Sequence, residues 1–65
     1  MIIVSVVLPT YNEAGNIGPL IEVLLTRLPE ASEIVVVDDD SPDLTWQVVE
    51  GLSRKDSRIR LIRRI

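Results

Sequence analysis

The stretch EIVVVDDDSPD, residues 33–43, decides the fold of this chain. Its first half is apolar on both faces, which is typical of a strand buried in a parallel sheet. Three carboxylates, Asp38, Asp39 and Asp40, follow at once, and in such sheets ligands bind beyond the carboxyl ends of the strands. Because these like charges repel one another, they predict a compensating partner: a cation, ribose hydroxyls or the N–H edge of a base.

The segment before this stretch predicts a strand, a loop and a helix. Ile2–Leu8 is β-branched and apolar, and Pro9, which cannot donate to a ladder, is expected to end this first strand. Pro9–Glu13 then forms a loop, and Asn12 or Asn16 can cap a helix that Pro29 stops. The apolar positions of this helix follow the i, i+3, i+4, i+7 rule; they are Ile17, Leu20, Ile21, Leu24, Leu25 and Leu28.

The segment after the carboxylates predicts a second helix and a third strand. Glu33–Asp38 is strand two, and Ser41-Pro42-Asp43 opens the second helix, with Ser41 or Asp43 as its cap. The apolar residues Leu44, Val48 and Leu52, with Val49 beside them, are expected to form its inner face. The third strand alternates apolar residues with arginines; these are Ile59 and Leu61 with Arg58, Arg60 and Arg63.

The predicted fold class is therefore α/β, a βαβαβ unit with three parallel strands that forms half of a Rossmann-like, doubly wound domain. Residues 1–65 are one incomplete domain in this interpretation. Both helices lie on one face, so the other sheet face and at least one sheet edge stay uncovered. Such a chain is expected to be only marginally stable alone.

Composition excludes several classes of protein. The chain has no cysteine and no histidine, which rules out a disulfide framework, a structural zinc site and a Ser-His-Asp triad within it. Its aromatic residues are Tyr11 and Trp46 alone, so base-stacking platforms for single-stranded nucleic acid are not expected. No apolar run is long enough for a membrane span, and a signal peptide is not expected.

Charge is unevenly distributed along the chain. Residues 1–53 hold nine acidic residues and one basic residue, whereas residues 54–65 hold six basic residues and one acidic residue. The basic end could contact anionic lipid or phosphate. Alternatively, it is a solvated helix end that runs into an edge strand protected by charge.

The two loops predict a site, because the carboxyl ends of neighbouring parallel strands meet at one edge. Asp38, Asp39 and Asp40 could accept from a base or a ribose or ligate Mg²⁺ or Mn²⁺; the alternative is that one of them caps a helix and the others are solvated. Glu13 could bind ribose or base, or it could be a favourable charge near a helix N-terminus. Tyr11 could flank a base or cover the sheet edge. Capping is the expected role of Asp43, turn formation and capping that of Thr10 and Asn12, and packing that of Trp46.

The elements VLPTYNE, residues 7–13, and EIVVVDDDSPD together resemble family 2 inverting glycosyltransferases with the GT-A fold. Within that family the chain is most similar to dolichol-phosphate (polyprenol-monophosphate) mannosyltransferases. The resemblance covers residues 4–63, and it identifies the chain as the amino-terminal part of a nucleotide-sugar-binding domain. The PTYNE element is common to much of the superfamily, whereas DDDSPD followed by Thr45-Trp46 is more specific to this branch. Many relatives have glycine where Asp40 stands.

The resemblance implies a nucleoside pocket that uses residues of both loops; they are Pro9, Tyr11, Glu13, Val37 and Asp39, with Asp38 and Asp40 as further candidates. The catalytic residues, the acceptor-side residues, the diphosphate-binding arginines and the metal-binding Asp-x-Asp of the family are expected beyond residue 65. No metal ligand is therefore assigned here.

The resemblance also implies an activity: transfer of a sugar from GDP-mannose, or from a UDP-sugar in sister enzymes, to a polyprenyl phosphate. Mg²⁺ or Mn²⁺ would be the cofactor of the intact enzyme, which would work at the cytoplasmic face of a membrane through peripheral contact. This chain would supply nucleoside contacts and is expected to be inactive alone. The alternatives are another family 2 enzyme that uses a UDP-sugar, and a non-catalytic nucleotide-binding or scaffold module.

Overall fold

A computed structural model describes residues 1–65 and has the predicted βαβαβ order. Three parallel strands form one sheet with two helices, which confirms the α/β class and is consistent with the amino-terminal half of a Rossmann-like GT-A domain. The elements are β1 (Val4–Thr10), α1 (Ile17–Arg27), β2 (Ser32–Asp38), α2 (Thr45–Lys55) and β3 (Ile59–Arg63).

The strand order is β1-β2-β3, so β2 is central and β1 and β3 are the edges. Val4 pairs with Ser32 at one end of the β1–β2 ladder, and Thr10 pairs with Asp38 at the other. Both strands therefore end at the same level, and the loops that follow them start side by side, as the sequence predicted.

The core lies between the sheet and the two helices. Every second residue of β2 is buried, starting at Ser32, because α1 and α2 cover only one face of the sheet. Six apolar residues that are almost inaccessible form the core: Ile17, Ile21, Ile34, Val36, Val49 and Ile59.

The opposite sheet face is uncovered, as predicted. On this open face, defined by Val7, Pro9, Val35, Val37 and Ile62, cross-strand neighbours meet in register without a helix above them. Several of these apolar side chains are largely exposed to solvent.

Pro9 does not end β1, which corrects the predicted boundary of Ile2–Leu8. Thr10 C=O accepts from Asp39 N–H (3.3 Å), so the backbone groups of Thr10 face β2. Those of its neighbour Pro9 face away from β2, because successive residues of a strand point their backbone groups to opposite sides. A missing N–H at a free sheet edge leaves no ladder bond unmade.

Helix α1 matches its prediction closely, except for one apolar position. Its N-cap residue is Asn16, although the Asn16 side chain makes no capping bond. Ile17 and Ile21 are fully buried, whereas Leu20 is exposed. The prediction that Leu20 belongs to the buried face was therefore wrong. Leu20 lies beside the free edge of β1, where no other element covers it.

Helix α2 begins later than predicted, and its inner face is different. The N-cap residue is Leu44, with a left-handed φ of 65°, and neither Ser41 nor Asp43 occupies that position. Thr45 and Val49 face the core with Leu52 beside them, while Leu44 and Val48 are exposed. The hydroxyl of Thr45 has hydrogen-bond partners inside the fold, so a polar residue takes the place that an apolar pattern assigned to Leu44.

Neither helix has the length and apolar character needed to cross a bilayer.

Candidate functional site

The loops after β1 and β2 meet at the carboxyl edge of the sheet. Beyond the Asp39 N–H bond to Thr10 C=O, the Thr10 hydroxyl donates to Asp38 Oδ1 at 2.7 Å. Both side chains are buried. The convergence that the sequence predicted is therefore held by a buried hydrogen bond between the last residues of two strands.

Asp38 is an acceptor inside the fold. Its carboxylate also accepts from Ser41 N–H (2.9 Å) and from the Ser41 hydroxyl (2.7 Å), and no part of the residue is exposed. Burial alone raises the pKa of Asp38, but the hydrogen bonds from Ser41 and Thr10 and the charge of Arg63 lower it below its ordinary value of 3.8. Asp38 thus stays ionised and organises the turn that follows β2.

The second loop satisfies three consecutive backbone N–H groups of the first loop. Asn12 N–H donates to Ser41 Oγ (3.0 Å), Glu13 N–H to Thr45 Oγ1 (2.9 Å) and Ala14 N–H to Asp43 Oδ2 (3.1 Å). These side chains belong to residues two apart. The SPDLT segment, residues 41–45, therefore works as a template that fixes the path of the first loop.

Asp43 also accepts from the first residue of α2, although Leu44 and not Asp43 is the N-cap residue. Its Oδ1 accepts from Thr45 N–H at 3.1 Å and from the Thr45 hydroxyl, at the start of α2. The Thr45 hydroxyl lowers the pKa of Asp43, and the N–H donors of Ala14 and Thr45 add to that effect against the opposing effect of desolvation. Both carboxylate oxygens of Asp43 therefore accept hydrogen bonds from donors within the chain.

Three residues of the two loops have left-handed backbone conformations. They are Asn12 (φ 55°), Asp40 (φ 49°) and Leu44 (φ 65°). Asparagine and aspartate tolerate this region better than most residues, whereas glycine adopts it freely. Glycine at position 40 would therefore adopt this backbone conformation without strain.

Asp39 and Asp40 are exposed, and each has an arginine partner at the end of β3 or directly after it. Asp39 Oδ1 accepts from Arg64 Nε at 2.7 Å, and this hydrogen bond lowers the pKa of Asp39. Asp40 Oδ1 accepts from Arg63 Nε (2.8 Å) and Nη2 (2.6 Å). Two arginines of the basic carboxyl-terminal segment therefore form ion pairs with two aspartates of the acidic part of the chain.

Trp46 has a packing role, as predicted. Its ring is half-buried on the first turn of α2, and the Arg63 guanidinium carbon lies 3.9 Å from the ring centroid. This distance is well within the range of a cation–π contact. Arg63 thus lies between the indole and the carboxylate of Asp40.

The candidate nucleoside residues surround one corner of the open face. Pro9 and Val37 are cross-strand partners there, and Tyr11 and Asp39 follow two residues after each of them. Tyr11 is exposed, while Glu13 is half-buried and accepts from the Asn16 side-chain amide at 3.2 Å. The structure brings Pro9, Val37, Tyr11 and Asp39 to one edge of the sheet. Glu13 lies two residues beyond Tyr11 in the first loop.

A cavity of about 460 Å³ opens beside the free edge of β1. Of the candidate residues only Pro9 and Glu13 line it, together with α1 residues such as Asn16, Ile17 and Leu20. Tyr11, Val37 and Asp39 lie outside this cavity. The cavity and the corner of the open face are therefore neighbours that share Pro9 and Glu13.

The carboxylates of the second loop face different partners. No three acidic side chains converge on one point. Asp38 is saturated by hydroxyl and N–H donors, and Asp39 and Asp40 each face an arginine. In this arrangement the carboxylate oxygens are engaged by donors of the chain itself.

Sequence reasoning missed the roles of Thr45, Arg63 and Arg64. A local signal existed for Thr45, since Ser41, Asp43 and Thr45 are short polar residues at a spacing of two. None existed for the arginines, because they lie 23 and 25 residues from their carboxylate partners.

Comparison with known proteins gives the class to which this fold and this edge belong. The model of the family described as "Glycosyl transferase family 2" matches residues 5–65. The chain belongs to glycosyl transferase family 2, as its sequence motifs predicted.

Similar individual proteins carry names of the same kind. The chain is 48% identical to a dolichol-phosphate mannosyltransferase of Pyrococcus furiosus over 94% of its length. It is 40% identical to the glycosyltransferase AglD of Haloferax volcanii over 88% of its length, and 35% identical to EpsJ of Bacillus subtilis, an uncharacterized glycosyltransferase, over 92%.

The chain spans only a small part of each of these relatives. It covers 17% of the Pyrococcus protein, 17% of EpsJ and 10% of AglD. The similarity therefore concerns one βαβαβ unit of much longer proteins.

Proposed function

We propose that this chain is the nucleoside-binding unit of a glycosyltransferase whose donor is a nucleotide sugar. The finer proposal is GDP-mannose as donor and a polyprenyl phosphate as acceptor. The family match supports glycosyl transfer in general, and the name of the Pyrococcus relative supports the mannosyl and dolichol-phosphate assignment.

The observation that carries the proposal is the joined edge of β1 and β2. Three backbone N–H groups of the first loop donate to side chains of the SPDLT segment, and these hydrogen bonds fix the two loops relative to each other without a ligand. Preorganised loops at the carboxyl edge of a parallel sheet are the usual place for a nucleotide.

Each candidate residue has a role that its environment permits. Asp39 is exposed and ionised, so it can accept hydrogen bonds from a ribose or from a base N–H once Arg64 is displaced. Pro9 and Val37 offer an apolar floor, and Tyr11 flanks it. Glu13 stands beside the cavity at the β1 edge, where it can accept from a hydroxyl.

The remaining parts of the reaction are assigned to groups outside residues 1–65. An oxygen of the acceptor phosphate would attack the anomeric carbon of the sugar, and the bond from that carbon to the nucleoside diphosphate would break, so that the nucleoside diphosphate leaves. The attacking oxygen is already ionised at neutral pH, so a strong base is not required. The lipid acceptor would bring the enzyme into peripheral contact with a membrane, at its cytoplasmic face. Mg²⁺ or Mn²⁺ enters this proposal with ligands beyond this chain, and the lack of any three converging acidic residues in residues 1–65 supports that assignment.

The test is calorimetric titration of the intact protein with GDP and with UDP. Asp39→Ala is expected to weaken GDP binding about tenfold or more, because a hydrogen bond to a charged group contributes roughly 1.5–3 kcal/mol. Glu33→Gln is the matched control, since it removes a carboxylate at the other end of β2, where Glu33 pairs with Arg60. It should leave the Kd unchanged.

The same titrations separate the alternatives. Tighter binding of UDP would point to a sister enzyme that uses a UDP-sugar. Absence of binding to either nucleotide by a folded protein would favour the scaffold module and refute the proposal. Transfer of labelled mannose from GDP-mannose to dolichyl phosphate by the intact protein tests donor and acceptor together.

A further inference from the structure

We propose that Arg63 is a positioning residue for nucleoside binding: it clamps the Asp40 side chain in the turn after β2 and so directs the neighbouring Asp39 carboxylate. This inference rests on the proposed function, because it assigns the device that holds one of its binding groups. The hydrogen bonds and the ion pair of Arg63 go to Asp40 and not to Asp39.

The clamp joins three elements. Arg63 is the last residue of β3, Asp40 lies in the turn after β2, and Trp46 lies on the first turn of α2. Two guanidinium nitrogens of Arg63 donate to Asp40 Oδ1, at 2.8 and 2.6 Å, while its Cζ lies 3.9 Å from the Trp46 ring centroid. A planar guanidinium can make both contacts at once, whereas an ammonium group cannot.

The turn needs such a clamp because of its backbone. Asp40 has a φ of 49°, a conformation that L-residues adopt rarely and that must be imposed by the surroundings. Asp39, immediately before it, is exposed and has no partner in the core. The Asp39 N–H is held by Thr10 C=O on one side, and on the other side, in this proposal, the conformation of Asp40 sets the direction of the Asp39 carboxylate.

Arg64 differs from Arg63 in the way that the proposal requires. Its side chain is 65% exposed, against 37% for Arg63, and it pairs with the Asp39 carboxylate itself. An exposed ion pair of this kind is weak and yields to a ligand. Arg63 can stay in place while a nucleoside replaces Arg64.

The experiment is GDP titration of the intact protein and four variants. Arg63→Ala is expected to weaken binding about fivefold to tenfold with the melting temperature changed little, because the contact lies at the surface. Arg63→Lys keeps the charge but loses the paired hydrogen bonds to Asp40 and the contact of the guanidinium with the Trp46 ring. It should therefore recover less than half of the lost affinity for GDP on a logarithmic scale. Arg60→Ala is the matched control: it removes an exposed β3 arginine that pairs with Glu33, and it should bind as the wild type does.

The decisive variant is the double substitution Arg63→Ala with Asp40→Gly. Glycine adopts the left-handed conformation without help, so the double variant should regain most of the affinity that Arg63→Ala loses. A merely structural loss of the Arg63 contacts would not be rescued by removing their partner as well.

Each result has one meaning. Wild-type affinity in Arg63→Ala, full recovery in Arg63→Lys, or no rescue in the double variant would overturn the clamp. Should Arg63→Ala fail to fold, Arg63→Lys and the double variant carry the test. If the wild-type protein binds neither GDP nor UDP, the proposed function fails and the clamp falls with it, whereas wild-type binding that is insensitive to Arg63 overturns the clamp alone.

Discussion

At the scale of single residues, three consecutive aspartates have three different environments. Asp38 ends β2 on the covered face and is fully buried, so it accepts from the protein's own donors. Asp39, one residue later, points to the other side and is exposed. Asp40 is exposed as well and has a left-handed backbone conformation. Strand alternation alone separates the structural acid from the one that remains accessible.

This separation predicts the effect of Asp38→Asn. The substitution leaves an amide where Ser41 and Thr10 donate, so it should lower the free energy of unfolding at pH 7 by about 1–3 kcal/mol. Asp39→Asn, which alters only an exposed pair, is the control and should cost less than about 1 kcal/mol. Urea unfolding followed by circular dichroism measures both.

The pH dependence of the same pair follows from the lowered pKa of Asp38. Since the folded-state pKa lies below the ordinary value of 3.8, the stabilisation is present above 3.8 and is lost as the pH falls through the folded-state pKa. The stability gap between wild type and Asp38→Asn should therefore shrink below about pH 4. A gap that stays constant down to pH 2.5 would contradict an ionised Asp38.

At the scale of elements, α2 shows how a helix can be fixed by polar contacts at its start and weakened in its middle. Asp43 accepts from the N–H of Thr45, the first residue of the helix, and the Thr45 hydroxyl accepts from the N–H of Glu13 in the other loop. Gly51, by contrast, lies in the middle of the helix at an exposed position, and a Cβ there would meet no atom within 4 Å. The helix thus contains a residue that lowers its stability with no packing reason for it.

Gly51→Ala is accordingly expected to stabilise the chain. The gain should be about 0.5–1 kcal/mol, because alanine loses less backbone entropy on helix formation. Gln47→Ala, at another exposed position of α2 that already holds a good helix former, should give a smaller change. A destabilising effect of Gly51→Ala in thermal unfolding would show that Gly51 is needed for a contact outside this chain.

At the scale of the whole molecule, the open face is the main apolar surface that the fold leaves uncovered. Val7 and Ile62, on the two edge strands, are 60% and 50% exposed. Contiguous apolar surface of this kind promotes association. Residues 1–65 alone are therefore expected to self-associate through this face.

The double substitution Val7→Thr with Ile62→Thr should reduce that association, since threonine keeps the β-branched shape and adds a hydroxyl. Val23→Thr is the control, because Val23 is equally exposed (51%) but lies on α1. Sedimentation velocity over a range of concentrations measures the effect. Equal behaviour of the control and the double variant would mean that association is not confined to the open face.

The sequence by itself determined the order of the elements, the α/β class and the position of the carboxylates at the end of the central strand. These features depend on local information: apolar periodicity, Pro29 as a helix stop, and strand length. Local patterns failed where tertiary contacts overrode them. Pro9 stays within β1 because its missing donor faces a free edge, and Thr45 is buried because partners from the other loop satisfy its hydroxyl.

Only the tertiary structure decided how the site is held. The partners of Asp39 and Asp40 lie 25 and 23 residues along the chain, and the donors to Ser41, Asp43 and Thr45 come from a loop about 30 residues away. No periodicity encodes such pairs, because they depend on the register of β3 against β2 and on the level at which β1 and β2 end. The sequence thus placed the carboxylates at an edge, and strand pairing decided which of them is buried, which is clamped and which is accessible.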